Sequence, residues 1–103
     1  MQKFVIIIVF LLSLSNTIKA QFFSVQANCN SNYRKGTCVA YNGFYRPIYC
    51  EGTIQGRTRL GFYTEGGQYG WVQPGQNFYM YVYSENPQYD PLIGTWGDVN
   101  CRF

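Results

Sequence analysis

The side chains able to do chemistry are few in this sequence, and their types exclude most catalytic mechanisms. There is no histidine, so a serine or cysteine nucleophile would lack the imidazole base that usually activates it. Lys35 is the only lysine after the first 20 residues, and its neighbour Arg34 and the polar stretch around it indicate a solvated charge. Paired carboxylates serve glycoside hydrolysis only across a cleft, which so short a chain can hardly build beside its core. We expect no enzymatic activity and no cofactor.

Metal binding is equally poorly supported by the residue types. Zinc sites draw on histidines and on closely spaced cysteine pairs, and the sequence has neither. Glu85 and Asp90 fall in one polar stretch, but sites for hard cations need more carboxylate ligands than these two. We therefore expect no metal site.

The cysteines are the remaining reactive side chains, and the first 20 residues indicate the compartment in which they fold. Lys3, an apolar run over 4–12 and the small Ala20 are typical of a secretory signal peptide. The apolar run is too short for a transmembrane helix, which takes about 20 residues. We predict a cleaved signal peptide at 1–20 and a single secreted domain at 21–103. An even number of cysteines in an oxidising compartment predicts two disulfides, formed by Cys29, Cys38, Cys50 and Cys101.

The charge balance of the secreted part argues against polyanionic partners. Two of the eight basic residues, Lys3 and Lys19, leave with the signal peptide, so six basic and five acidic side chains remain. This balance does not favour nucleic acid, and without a basic amphipathic helix we expect no stable membrane insertion of the mature chain. We expect a monomer whose partner is an extracellular protein or a glycan.

The stretch 77–83 predicts a β-strand more clearly than any other segment. Phe78, Met80 and Val82 fall on one face of an extended chain and form an apolar side. The other face carries three tyrosines, Tyr79, Tyr81 and Tyr83.

The remaining chain is divided into short apolar runs by glycine, proline and asparagine, which is typical of an all-β protein. We predict a small, disulfide-stabilised antiparallel β-sandwich or barrel of seven or eight short strands, with no substantial helix. A first strand is expected over 22–27, and 57–64 is expected to be a strand. Turns or loops are expected at 28–36, 65–67, 74–75, 84–91 and 97–98.

Asn42-Gly43 stands between two strand-like runs and predicts a two-residue type I′ hairpin. In that hairpin the side chains of Cys38 and Cys50 point to opposite faces, which disfavours a bond between them. Of the two connectivities left, we favour Cys29–Cys38 with Cys50–Cys101.

The composition of the secreted part predicts a core that contains aromatic rings. Aliphatic side chains are sparse there, whereas ten tyrosines are present. Aromatic side chains bury large areas and favour strands. The composition therefore favours burial of the tyrosine face of 77–83, with exposure of that face as the alternative.

Two groups of residues are candidate binding surfaces, because tyrosine and arginine are enriched at binding sites. One group is the tyrosine face, and the other would join it if the strands that carry the two groups are neighbours. The members are Tyr79, Tyr81 and Tyr83 in the first group, and Arg57, Arg59 and Tyr63 in the second.

Three functions are compatible with such a surface. The favoured hypothesis is a secreted, non-enzymatic interaction protein of the toxin, defence or effector type. The second is a small carbohydrate-binding module that uses a Tyr/Trp platform. The third is a tyrosine-rich structural component of an extracellular matrix or coat, although such proteins usually contain repeats.

Overall fold

The computed structural model describes residues 21–103, and the predicted signal peptide at 1–20 lies outside the described residues. Residues 21–103 form seven antiparallel strands in two sheets that share one core, which confirms the all-β prediction. This part of the chain contains no helix long and apolar enough to cross a membrane. The strands are β1 (Phe23–Val25), β2 (Ala27–Ser31), β3 (Lys35–Tyr41), β4 (Ile48–Thr58), β5 (Tyr63–Val72), β6 (Asn77–Tyr83) and β7 (Leu92–Arg102).

The chain changes sheets instead of folding into successive hairpins. The four-stranded sheet has the order β1-β7-β4-β5, and the three-stranded sheet has the order β2-β3-β6. The predicted first strand is therefore two strands, because the chain leaves one sheet after Val25 and enters the other at Ala27. The predicted polar turn at 28–36 is shorter than expected. It spans only 32–34, where the Asn32 carboxamide oxygen accepts hydrogen bonds from the backbone N–H groups of Arg34 and Lys35.

The predicted Asn42-Gly43 hairpin is wrong, because β3 and β4 lie in different sheets. Neither residue has the positive φ that a type I′ turn requires. The Asn42 side chain is buried and holds the crossover by donating to the carbonyls of Arg46 and Val72, at 3.0 and 2.9 Å. Its oxygen accepts from the backbone N–H of Phe44. Asparagine is used here for its side-chain hydrogen bonds, and not for its turn conformation.

Two further predicted turns are strand interiors, and one predicted turn is confirmed. Residues 65–67 lie within β5 and residues 97–98 within β7. The predicted strand over 57–64 is instead the end of β4, a tight turn and the start of β5, and Gly61 at φ +92° lies in that turn. The Pro74-Gly75 turn is confirmed, because Gly75 has φ +79° and the N–H of Gln76 donates to the carbonyl of Gln73.

The predicted aromatic core is also wrong. Within 21–103 the buried core contains one aromatic ring, that of Phe78, and none of the tyrosines. The core otherwise consists of aliphatic side chains, Met80 and three of the four cystine side chains. The apolar face predicted for β6 is confirmed, since Phe78, Met80 and Val82 are all buried. The two sheets are thus held together by few side chains.

Glycines explain how so small a core fills the space between the sheets. Met80 lies over Gly52 and Gly97 of the four-stranded sheet: a Cβ on Gly52 would stand 2.5 Å from the Met80 sulfur, and one on Gly97 would stand 3.2 Å from its methyl carbon. At the edge between β5 and β6, a Cβ on Gly66 would stand 2.8 Å from the carbonyl oxygen of Tyr81. A side chain at Gly66 would collide with backbone of β6, whereas a side chain at Gly52 or Gly97 would require the Met80 side chain to shift.

An aromatic cluster ties down both ends of the described chain. Phe23 of β1, Phe44 of the β3–β4 crossover and Phe103 after β7 pack with ring centroids 5.1 to 5.4 Å apart. The Arg46 guanidinium stands 4.4 Å from the centre of the Phe103 ring. Such contacts stabilise the chain ends against fraying.

The favoured disulfide connectivity is confirmed, although the hairpin used to argue against a Cys38–Cys50 bond does not exist. Cys29–Cys38 joins directly opposite residues of β2 and β3, and Cys50–Cys101 joins directly opposite residues of β4 and β7. Each bond therefore lies within one sheet, so neither disulfide joins the two sheets.

The two disulfides are expected to differ in their contribution to stability. Their sequence separations are 9 and 51 residues, and the entropy that a cross-link removes from the unfolded chain grows with loop length. We expect Cys29→Ala/Cys38→Ala to lower the free energy of unfolding by about 2.5 kcal/mol, and Cys50→Ala/Cys101→Ala by about 4 kcal/mol. Urea unfolding of both double variants measures this. An equal or reversed order would contradict the loop-length account.

Gly66→Ala should lower the free energy of unfolding by about 1–3 kcal/mol, because the added methyl group collides with rigid backbone of β6. Gly67→Ala is the matched control, since its Cβ points to solvent in the same strand and would meet the Gly52 carbonyl oxygen only at 3.4 Å. The control should change stability by no more than about 0.5 kcal/mol. Equal urea midpoints for the two variants would show that the β5–β6 approach does not need a glycine.

Candidate binding surfaces

The tyrosine face of β6 is exposed, which answers the question that the sequence left open. Tyr79, Tyr81 and Tyr83 are 45%, 44% and 56% exposed. The rings of Tyr79 and Tyr81 lie parallel, with an interplanar angle of 2° and centroids 6.3 Å apart. We call these three residues the tyrosine ladder. The expectation that the core needs these rings is wrong, because Phe78, Met80 and Val82 occupy the inward face of β6 and the tyrosines lie on its other face.

Neighbouring side chains hold the tyrosine ladder in place. The ammonium group of Lys35 stands 5.0 Å from the centre of the Tyr81 ring, within the range of a cation–π contact. The carboxamide of Asn77 donates to the Tyr79 hydroxyl at 3.3 Å. Rings ordered before binding lose less conformational entropy when a partner arrives.

The second predicted group, Arg57, Arg59 and Tyr63, does not share a face with the tyrosine ladder. Arg57 of β4 and Tyr63 of β5 are directly opposite each other and point outward from the four-stranded sheet. The ladder points outward from the three-stranded sheet, on the opposite side of the molecule. Arg59 holds the loop at 84–91: its guanidinium donates to the Tyr89 carbonyl at 3.1 Å, and its backbone N–H donates to the Pro91 carbonyl at 2.9 Å.

A groove at one end of the molecule connects the two predicted groups. Its volume is about 400 Å³, and both Tyr63 and Tyr83 line it. The backbone N–H of Leu60 donates to the Asp90 carboxylate at 2.7 Å, which ties the two loops that form the groove. The structure therefore brings Tyr63 near the end of the ladder, around an edge.

The outer face of the four-stranded sheet carries a second ordered aromatic site, centred on Trp96 of β7. The indole N–H donates to the side-chain oxygen of Gln55 at 2.8 Å, and the Gln55 amide donates to the Glu65 carboxylate at 3.0 Å. Tyr63 stands beside the indole, with centroids 6.3 Å apart and ring planes at 78°. We call Trp96, Gln55, Glu65 and Tyr63 the Trp96 platform.

Sequence analysis missed the Trp96 platform because it placed turns at 65–67 and 97–98. With those stretches taken as strand interiors, strand periodicity puts Glu65 and Trp96 on the outer face with Gln55 between them. The available signal was the period-two pattern of each whole strand.

A second aromatic group lies farther along the same face. The Arg102 guanidinium stands 4.8 Å from the centre of the Tyr49 ring and 5.5 Å from the centre of the Trp71 ring, and the two rings pack edge to face. Tyr49 and Gln55 lie on one strand, so the two groups are about 20 Å apart at the usual strand rise.

Comparisons with known proteins add no assignment: no family model, no curated protein and no solved structure matches the chain. Among residues 21–103, no group of three or more histidine, cysteine, aspartate or glutamate side chains is placed to hold a metal ion. The surfaces themselves are thus the basis for any functional conclusion.

Proposed function

We propose that this protein is a secreted, non-enzymatic interaction protein of the toxin, defence or effector type that contacts an extracellular protein through the tyrosine ladder. The observation that carries the proposal is the ladder itself: three exposed tyrosines on one strand, two of them parallel. Tyrosine gives a large contact area with few rotatable bonds, so such a surface binds at low entropic cost.

Three further features support this proposal. The pattern at 1–20 is that of a signal peptide, and the two disulfides suit an oxidising compartment. The absence of histidine from the sequence removes the commonest general base. Lys35 places a positive charge on the ladder, which suits a partner that has an acidic group beside an apolar contact.

The ladder is tested with biotinylated wild-type protein and the Tyr79→Ser/Tyr81→Ser variant, incubated with intact cells and extracellular matrix of the source organism. We expect the protease-sensitive part of the binding to be at least about tenfold weaker for the variant, because central aromatic contacts dominate interface energies. Protease treatment of the cells and matrix should abolish the part of the wild-type binding that the variant lacks, whereas periodate oxidation of glycans should leave that part intact. Apparent affinity is measured by titration of the bound biotin.

The matched control is Tyr33→Ser/Tyr45→Ser, which removes two exposed tyrosines from loops outside both sheet faces. It should bind as the wild type does. Urea unfolding of each variant verifies that the fold is intact. Equal binding by the ladder variant and the wild type would overturn the proposal.

A further inference from the structure

The indole of Trp96 is exposed, yet its orientation is fixed. It is 42% exposed, and the hydrogen bonds through Gln55 to Glu65 run across β7, β4 and β5 at one level of the sheet. An exposed tryptophan held by such a relay presents a ring in a defined position. Preorganisation of this kind lowers the entropic cost of binding a ligand.

Tyr63 and Trp96 together form a corner instead of one flat aromatic surface. Its plane stands at 78° to the indole plane, so one aromatic ring forms a floor and the other a wall. Arg57 lies directly opposite Tyr63 on the same outer face, and its side chain is exposed. The Glu65 carboxylate keeps an oxygen that is not used by the Gln55 amide. Apolar planes thus stand next to hydrogen-bond donors and acceptors.

The charge balance on the outer face of the four-stranded sheet argues against negatively charged ligands. Its outward side chains include two arginines and three carboxylates, so no excess of positive charge would attract a nucleic acid or an acidic polysaccharide. Tyr69, which is 74% exposed, stands between the two aromatic groups, opposite Glu51 and among small and polar side chains. The charged and polar residues of the whole outer face include Arg57, Arg102, Glu51, Glu65, Asp98 and Asn100.

We propose that the outer face of the four-stranded sheet binds a neutral polysaccharide, with one sugar ring packed on Trp96. The apolar faces of sugar rings pack on aromatic planes, and their hydroxyl groups exchange hydrogen bonds with amides, carboxylates and guanidinium groups. The second aromatic group, Tyr49 and Trp71, lies about 20 Å along the strands and contacts the same chain. The ligand is therefore a polymer of several sugars. This site lies opposite the tyrosine ladder, and the proposal goes beyond the function proposed above.

The site is tested by pull-down on insoluble chitin, cellulose and β-1,3-glucan, with heparin beads as the acidic comparison. We expect the wild type to bind at least one neutral polymer and Trp96→Ala to bind it at least about tenfold more weakly, since stacked aromatic contacts dominate such sites. Gln55→Met keeps the side-chain length and removes the relay. Because it frees the indole without removing it, this variant should bind a few-fold more weakly.

Controls separate this site from the ladder and from the fold. Tyr79→Ser/Tyr81→Ser should retain full polysaccharide binding, so failure of either proposal leaves the other intact. If Trp96→Ala unfolds at a lower urea concentration than the wild type, two other tests replace it. One is polysaccharide binding by Tyr63→Ala. The other is the tryptophan fluorescence of the wild type, titrated with a soluble hexasaccharide of the bound polymer. Absence of binding to all three neutral polymers, retention on heparin alone, or unchanged binding by Trp96→Ala and Tyr63→Ala would overturn the proposal.

Discussion

The close contact of β6 with the glycines of the four-stranded sheet is the interaction on which the rest of the structure depends. Facing sheets are ordinarily separated by about 10 Å, with side chains from both sides filling the space. Here Met80 packs against Gly52 and Gly97, and Gly66 meets the backbone of β6. At these glycines, side chains from one sheet fill the space that side chains from both sheets would otherwise share. A small set of aliphatic, methionine and cystine side chains is then sufficient for a core.

Because the core contains few side chains, most of the aromatic rings lie on the surface and are available for contacts. Aromatic rings that have no place between the sheets stand on the outside, and the two outer faces use them differently. The three-stranded sheet presents the tyrosine ladder beside Lys35, whereas the four-stranded sheet presents Trp96 beside an amide and a carboxylate. The first arrangement suits a protein partner with an acidic group, and the second suits a neutral, hydroxyl-rich ligand. One small domain therefore carries two separate candidate binding surfaces.

Several local patterns were predicted correctly from the sequence, whereas patterns that depend on the opposite sheet were not. The alternation in β6 and the Pro74-Gly75 turn are set by residues next to each other in the chain. Gly66 and Gly97 resemble turn glycines in the sequence, but their role is set by Tyr81 and Met80 across the interface. The sheet change at Asn42 likewise depends on a hydrogen bond to the Val72 carbonyl, 30 positions away in sequence. The Trp96 platform was missed for a related reason. Glu65 and Trp96 are expected on one outer face only when β5 and β7 are taken as continuous strands.

The central claim is that the tyrosine rings lie outside the core, and dye-sensitised photo-CIDNP NMR of the native protein tests it most directly. This method enhances the ring signals only of tyrosine and tryptophan side chains that a dye in solution can reach. The exposed fractions of Tyr79, Tyr81 and Tyr83 predict enhanced signals from all three in the folded state. Signals from these residues that appear only after unfolding in urea would contradict the account, because the rings would then belong to the core.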